Sequence, residues 1–138
     1  SPSIGQASAQ RNDLPPSGPD GAITEGCAGQ PYSIANYRVT GYAPDLKVPI
    51  GYWRSVGSSF NGFFHECFLD ELAVAGNVDP MAMRLKMTAD FPVAHQVLKT
   101  LSEISNWDQP MPADKARGLA LSLSFVTTAA QVVEISQS

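Results

Sequence analysis

This chain is short of charge, of cysteine and of basic clusters, and each shortage removes a class of function. Of its 138 residues only 16% are Asp, Glu, Lys or Arg, against about 25% in an average globular chain. Nine Lys and Arg stand against 13 Asp and Glu, for a net charge of −4. No basic cluster exists to displace phosphate counterions, which argues against nucleic acid as a partner and against a membrane surface reached through basic residues. No apolar run approaches the roughly 18 residues of a membrane span, and the N-terminus carries no charged segment leading into an apolar core. The two cysteines, Cys27 and Cys67, define neither a disulfide framework nor a metal site. Both are expected as free thiols, with Cys67 buried in a helix stripe.

The usual catalytic signatures are missing as well: G-x-S-x-G, H-E-x-x-H, C-x-x-C, a P-loop and G-x-G-x-x-G do not occur. His65 and His95 read as exposed helix residues, because nothing nearby completes a ligand set. Glu66 with Asp70 and Glu71 reads as a solvated acidic face rather than a general acid–base pair.

What is present is a chain of single-domain size, with 43% apolar residues, enough for one core. Residues 1–22 are rich in Ser, Pro, Gly, Gln and Asp and read as a linker or surface arm, leaving 23–138 as the folded part. Alternation in Tyr37-Arg38-Val39-Thr40-Gly41-Tyr42 predicts a strand from about Asn36 to Tyr42. Ala43-Pro44-Asp45 ends it as a turn, and Val48 begins an extended run toward Trp53.

From Ser59 the period becomes helical. Phe60, Phe63, Phe64, Cys67, Phe68, Leu72 and Ala75 share a stripe that predicts a helix from Ser59 to Ala75 with its aromatic face inward. Gly76-Asn77 stops it. Asp79-Pro80 starts a second helix, from Pro80 to about Thr88, with Met83 and Met87 inward. Asp90-Phe91-Pro92 starts a third, from Pro92 to about Ser105, with Val97, Leu98, Leu101 and Ile104 on one face. Trp107 then anchors the helical layer. Period-two alternation from Gly118 to Phe125 gives a strand, Thr127-Thr128 a turn, and Ala130 to Ser136 its partner. The expected class is α+β: an N-terminal strand and loops, three central helices and a C-terminal β-hairpin.

The stretch Val48 to Ser59, which runs into the first helix, concentrates the chemistry. An aromatic pair, Arg54 and a small-residue turn at a helix N-terminus suit an anionic ligand, because N–H groups there point outward and the helix dipole favours negative charge. The residues alone admit a plainer reading, with Trp53 a core aromatic, Arg54 a surface cation, and Ser58 or Ser59 an N-cap.

Gly51-Tyr52-Trp53-Arg54-Ser55-Val56-Gly57, continued by Asn61-x-Phe63-Phe64-x-Glu66-x-Phe68-x-Asp70-Glu71-Leu72-Ala73, resembles the large, molybdopterin-binding subunit of the xanthine oxidase family. The likeness is to the branch of bacterial aldehyde dehydrogenases and isoquinoline 1-oxidoreductase beta subunits. Three further segments agree with it in order. They are Glu25-Gly26 with Pro31-Tyr32-x-Ile34-x-Asn36-x-Arg38-Val39, then Asp79-Pro80-x-x-x-Arg84, then Arg117-Gly118-Leu119-Ala120 with Ala130-Gln131-Val132-Val133-Glu134.

The resemblance implies a molybdenum-dependent oxidoreductase that hydroxylates aldehydes or N-heteroaromatics with oxygen from water. Its cofactor would be molybdopterin, as the cytosine dinucleotide. Electrons would leave through an iron–sulfur small subunit, with or without a cytochrome c subunit. By the same resemblance Trp53 and Arg54 face the metal and substrate, while Ser55, Val56 and Gly57 present backbone to the pocket. In the xanthine oxidase branch a glycine and a phenylalanine follow the arginine; here Ser55 and Val56 replace them.

The family's catalytic glutamate lies in a Gly-Glu motif near the subunit's far C-terminus, and no Gly-Glu dipeptide occurs here. Residues 23–138 are therefore expected to be part of a molybdopterin-binding domain, with no catalytic residue of their own. The fragment is expected to be inactive, to hold no cofactor alone, and to self-associate through a sheet edge or its aromatic helix face. Its partner in the whole enzyme would be the remainder of the large subunit. A scaffold or subunit-interface module is the competing reading. The compartment stays open between the bacterial cytoplasm and the periplasmic face of the inner membrane.

Overall fold

The computed structural model describes residues 21, 23–42 and 53–136. The expected arm at 1–22, the turn at Ala43-Pro44-Asp45, the run from Val48, and Gly51-Tyr52 lie outside those residues, save Gly21. The described chain forms three helices followed by a hairpin: α1 (Gly57–Ala75), α2 (Pro80–Met87), α3 (Pro92–Ile104), β1 (Lys115–Ser124) and β2 (Thr127–Ser136). Helices precede an antiparallel sheet and cover it, so the class is α+β.

Punctuation in the sequence sets the helix ends. The Asp79 carboxylate accepts the Ala82 N–H at 2.8 Å, with Pro80 at the first helical position. The other carboxylate oxygen of Asp79 accepts the indole N–H of Trp107 at 2.9 Å, tying the start of α2 to the chain beyond α3. α1 stops at Gly76, and Asn77 takes a left-handed φ of 50° beyond it.

The hairpin register runs unbroken from Lys115↔Ser136 to Ser124↔Thr127. Its turn is Phe125-Val126, both at positive φ (48° and 58°), as a two-residue turn of the I′ kind demands. The expected turn at Thr127-Thr128 is thus displaced: both threonines belong to β2. Leu119 and Leu121 of β1 point into a core shared with Leu69, Met81, Ala94, Leu98, Leu101, Trp107 and Tyr32. Met83, Met87 and Val97 pack partly buried against it, but Ile104 is exposed.

Two expectations fail. No strand forms from Asn36 to Tyr42. The free edge of β1, which such a strand could join, is taken by side chains. The Leu121 N–H donates to Glu66 Oε2 at 2.9 Å, and Gln30 exchanges two hydrogen bonds with the Leu123 backbone at 3.0 and 3.1 Å.

The orientation of α1 is also opposite to that read from its phenylalanines. Phe60, Phe63, Phe64, Phe68 and Leu72 are exposed, while Gly57, Glu66, Leu69 and Ala73 are buried. Cys67, expected inside, is exposed. The helix rotates to bury Glu66 because its partners lie on the core side.

Candidate functional site

The turn before α1 brings the expected site residues together. The Val56 N–H donates to the Trp53 carbonyl at 3.1 Å, and the Ser58 N–H to the Ser55 carbonyl at 3.0 Å. Ser55 and Val56 have φ of 68° and 47°. Left-handed backbone at two successive non-glycine residues, one of them β-branched, costs about 1–3 kcal/mol each and persists only where surroundings enforce it.

The enforcing contacts come from residues 25–26. The Glu25 carboxylate accepts the Gly57 N–H at 3.1 Å, and the Glu25 carbonyl accepts from the Asn61 amide at 2.7 Å. The backbones touch: a Cβ on Gly26 would lie 2.6 Å from the Ser58 Cα, and one on Gly57 would lie 2.5 Å from the Glu25 carbonyl oxygen.

This arrangement changes the expected electrostatics. The helix N-terminus does meet a negative charge, but it is the chain's own Glu25. Neither Ser58 nor Ser59 is the N-cap: Val56 holds that position without a side-chain cap, and the Ser59 hydroxyl donates back to the Val56 carbonyl at 2.9 Å. Trp53 is no core aromatic, being 84% exposed. Arg54 is exposed beside it. The turn therefore presents an indole ring and a guanidinium outward from a clamped backbone.

Behind the turn, an open, mainly apolar groove between α1 and β1 is lined by Ser58, Ser59, Gly62, Phe63, Cys67, Asp70, Ala120 and Ser122, with Glu66 at its floor. Sequence reasoning missed what Glu66 does. It is 5% exposed and, with its four neighbours, joins every layer of the fold. Oε1 accepts the Tyr32 hydroxyl at 2.9 Å and has His65 Nδ1 at 3.5 Å. Oε2 accepts from Arg84 Nε at 3.0 Å and from the Leu121 N–H. Fully buried Arg84 also donates to Asp70 at 2.7 Å and to the Glu66 carbonyl at 3.0 Å.

Burial alone would raise the Glu66 carboxyl. The His65 hydrogen bond, the Arg84 charge, the Leu121 N–H and the Tyr32 hydroxyl outweigh it and hold the group below the usual carboxylate range. Burial and the Glu66 charge push the Tyr32 phenol well up. The expected solvated acidic face is therefore corrected at Glu66, which is a satisfied buried anion.

The histidines are corrected too. His65 stacks on Tyr32 with ring centroids 5.5 Å apart, and His95 Nδ1 lies 3.1 Å from the Leu85 carbonyl. Among the described residues no group of three His, Cys, Asp or Glu side chains could hold a metal ion.

Sequence comparison finds relatives of the chain. It is 30% identical to the beta subunit of isoquinoline 1-oxidoreductase from Brevundimonas diminuta over 94 residues, 68% of this chain and 12% of that protein. It is 38% identical to a nicotinate dehydrogenase subunit from Pseudomonas putida over 77 residues, 56% of this chain and 6% of that one. A match of 94 residues within a chain of 138 must include Trp53–Gly57 and all of α1, wherever it begins. No family model and no solved structure matches the chain.

Proposed function

The chain is related by sequence to the large, molybdopterin-containing subunits of the xanthine oxidase family, and from that relation we propose that it is an internal segment of such a subunit. Residues 23–138 are one part of a molybdopterin-binding domain, and 1–22 are a linker or surface arm. The whole enzyme is a molybdenum-dependent oxidoreductase acting on N-heteroaromatic or aldehyde substrates with oxygen from water. The two relatives are named for isoquinoline and nicotinate, both N-heteroaromatic, and that favours the first substrate class. The segment is inactive alone, and the catalytic glutamate lies elsewhere in the subunit. Its partners are the remainder of that subunit and an iron–sulfur small subunit, with or without a cytochrome c subunit.

The observation that carries the site assignment is the clamped left-handed turn at Ser55-Val56, with Trp53 and Arg54 exposed on it. Strained backbone concentrates where a protein positions groups for a ligand. The residues suit an anionic, aromatic group. Arg54 offers a charge and a planar fork of donors, and Trp53 offers a ring face. The Gly57 N–H is already committed to Glu25, so Arg54 rather than the helix N-terminus supplies the positive charge. A molybdopterin centre, as its cytosine dinucleotide, would supply the two-electron oxidation. Trp53 and Arg54 bind and orient, and Ser55, Val56 and Gly57 form the backbone wall of the pocket. The exposed phenylalanines of α1 then face other parts of the subunit.

The test is Arg54→Ala in the complete enzyme. Turnover falls roughly 100-fold, as expected when a positioning contact is lost, while molybdenum content and subunit assembly stay as in the wild type. Loss of assembly with the turnover per molybdenum unchanged would instead support the scaffold reading.

A further inference from the structure

We infer that Glu25 and Gln30 are positioning residues: the segment 24–30 braces the turn before α1 against β1, and so sets where Trp53 and Arg54 point. This rests on the reading of that turn as the ligand-facing site, and adds to it the groups that hold it in place.

The segment is closed on itself and tied down just beyond its end. The Thr24 carbonyl accepts the N–H groups of Cys27 at 3.1 Å and Ala28 at 2.9 Å, and the Tyr37 hydroxyl donates to the Cys27 carbonyl at 3.0 Å. Further along, Tyr32 donates to Glu66 of α1, and the Ser33 N–H donates to the Met87 carbonyl of α2 at 2.7 Å. A stretch held at several points opens less readily than a free loop.

Gln30 and Gly26 carry the brace from β1 to the turn. Gln30 uses its whole amide: Oε1 accepts the Leu123 N–H at 3.0 Å, and Nε2 donates to the carbonyls of Leu123 and Gly26, each at 3.1 Å. An acceptor with two N–H donors is what a glutamine amide offers and a carboxylate lacks. Gly26, buried and at a φ of 83°, lies so close to α1 that a Cβ there would fall 2.7 Å from the Gly57 carbonyl oxygen. Glycine alone suits that point. Beside it, Glu25 accepts the Gly57 N–H with its carboxylate and the Asn61 amide with its carbonyl.

The consequence for the site is geometric. Ser55 and Val56 stand in left-handed backbone, which unbraced non-glycine residues avoid. With the brace released they return to negative φ, and the backbone that carries Trp53 and Arg54 turns with them. A misplacement of about 1 Å in a positioning group costs up to about 100-fold in rate. Glu25 and Gln30 therefore act through Arg54, not on a ligand.

Nuclear magnetic resonance of the 138-residue chain reads the brace without any cofactor, because the N–H to Hα couplings and carbon shifts of Ser55 and Val56 report the sign of φ. Glu25→Ala and Gln30→Glu lose the left-handed signature. Glu25→Gln keeps it, since an amide oxygen still accepts the Gly57 N–H. Asn61→Ala, a mild change within a helix, moves it part of the way and keeps the test open if Glu25→Ala does not fold. In the complete enzyme Glu25→Ala and Gln30→Glu lower turnover per molybdenum about 10- to 100-fold. Adding either to Arg54→Ala costs nothing further, as for groups that act as one unit. Unchanged φ signals in all three disrupting variants overturn the inference and leave the site reading standing, as do losses that add in full to that of Arg54→Ala. A turn that relaxes at full turnover per molybdenum also overturns it, and the site reading then falls with it, since Arg54→Ala keeps full turnover too.

Discussion

Glu66 sits where α1, α2, β1 and the Tyr32 segment meet, and its two oxygens accept from Tyr32, Arg84 and the Leu121 backbone. Breaking such a buried pair from one side leaves the other charge uncompensated, at a cost of about 3–5 kcal/mol. In Glu66→Gln, Asp70 still partners Arg84, so the lower end of that range applies. The pH dependence has a definite sign. The carboxyl is held below its ordinary value in the folded state, and an unfolded Glu titrates near about 4.3. Its contribution is complete above that value and is lost as pH falls through the folded-state value. Urea midpoints measured from about pH 7 down to about pH 3 should show the wild type losing stability below about pH 4. Glu66→Gln should be weak already at neutral pH and change less across the same range. Equal stability of the two proteins at neutral pH would contradict the network's role.

At the scale of elements, the sequence is most legible where local chemistry decides. Asp79-Pro80 and Pro92 start α2 and α3 at the expected residues, because a cap and a fixed φ act within one turn. Trp107 is buried as expected, with its N–H satisfied by Asp79 and its ring covered by the Arg117 guanidinium, 4.1 Å from the centroid. The face that α1 buries was not legible. A row of phenylalanines carries the stronger hydrophobic signal, but the rotation is set by the pairing of Glu66 with Arg84, 18 residues apart, which periodicity cannot register. The clamp by Glu25 on the turn before α1 joins residues 32 apart, and the turn's composition gives no sign of it.

The hairpin turn carries a prediction of its own. Phe125 and Val126 hold positive φ with exposed side chains, where Asn-Gly is the unstrained choice. Replacing them with Phe125→Asn and Val126→Gly should raise stability by about 1 kcal/mol, read from the urea midpoint. A fall would mean that the native side chains make contacts worth more than the relief of backbone strain.

At the scale of the whole molecule, the described residues make a small core with apolar faces that no other described element covers. The outward Phe60, Phe63, Phe64 and Phe68 of α1 form one such face, and Val93 and Ile104 are exposed on α3. Isolated domains rarely expose that much apolar surface without a partner. The matches span only 12% and 6% of the relatives' lengths, which agrees with a segment whose covering surfaces lie elsewhere in a longer subunit. The uninterrupted reading frame around the codons for residues 1–138 is the measurement that bears most directly on this account. The expected frame is several times longer than this chain, with a Gly-Glu motif downstream of the hairpin. A stop codon directly after Ser138 would contradict it, and the chain would then be a free-standing α+β module without the catalytic glutamate that the family resemblance implies.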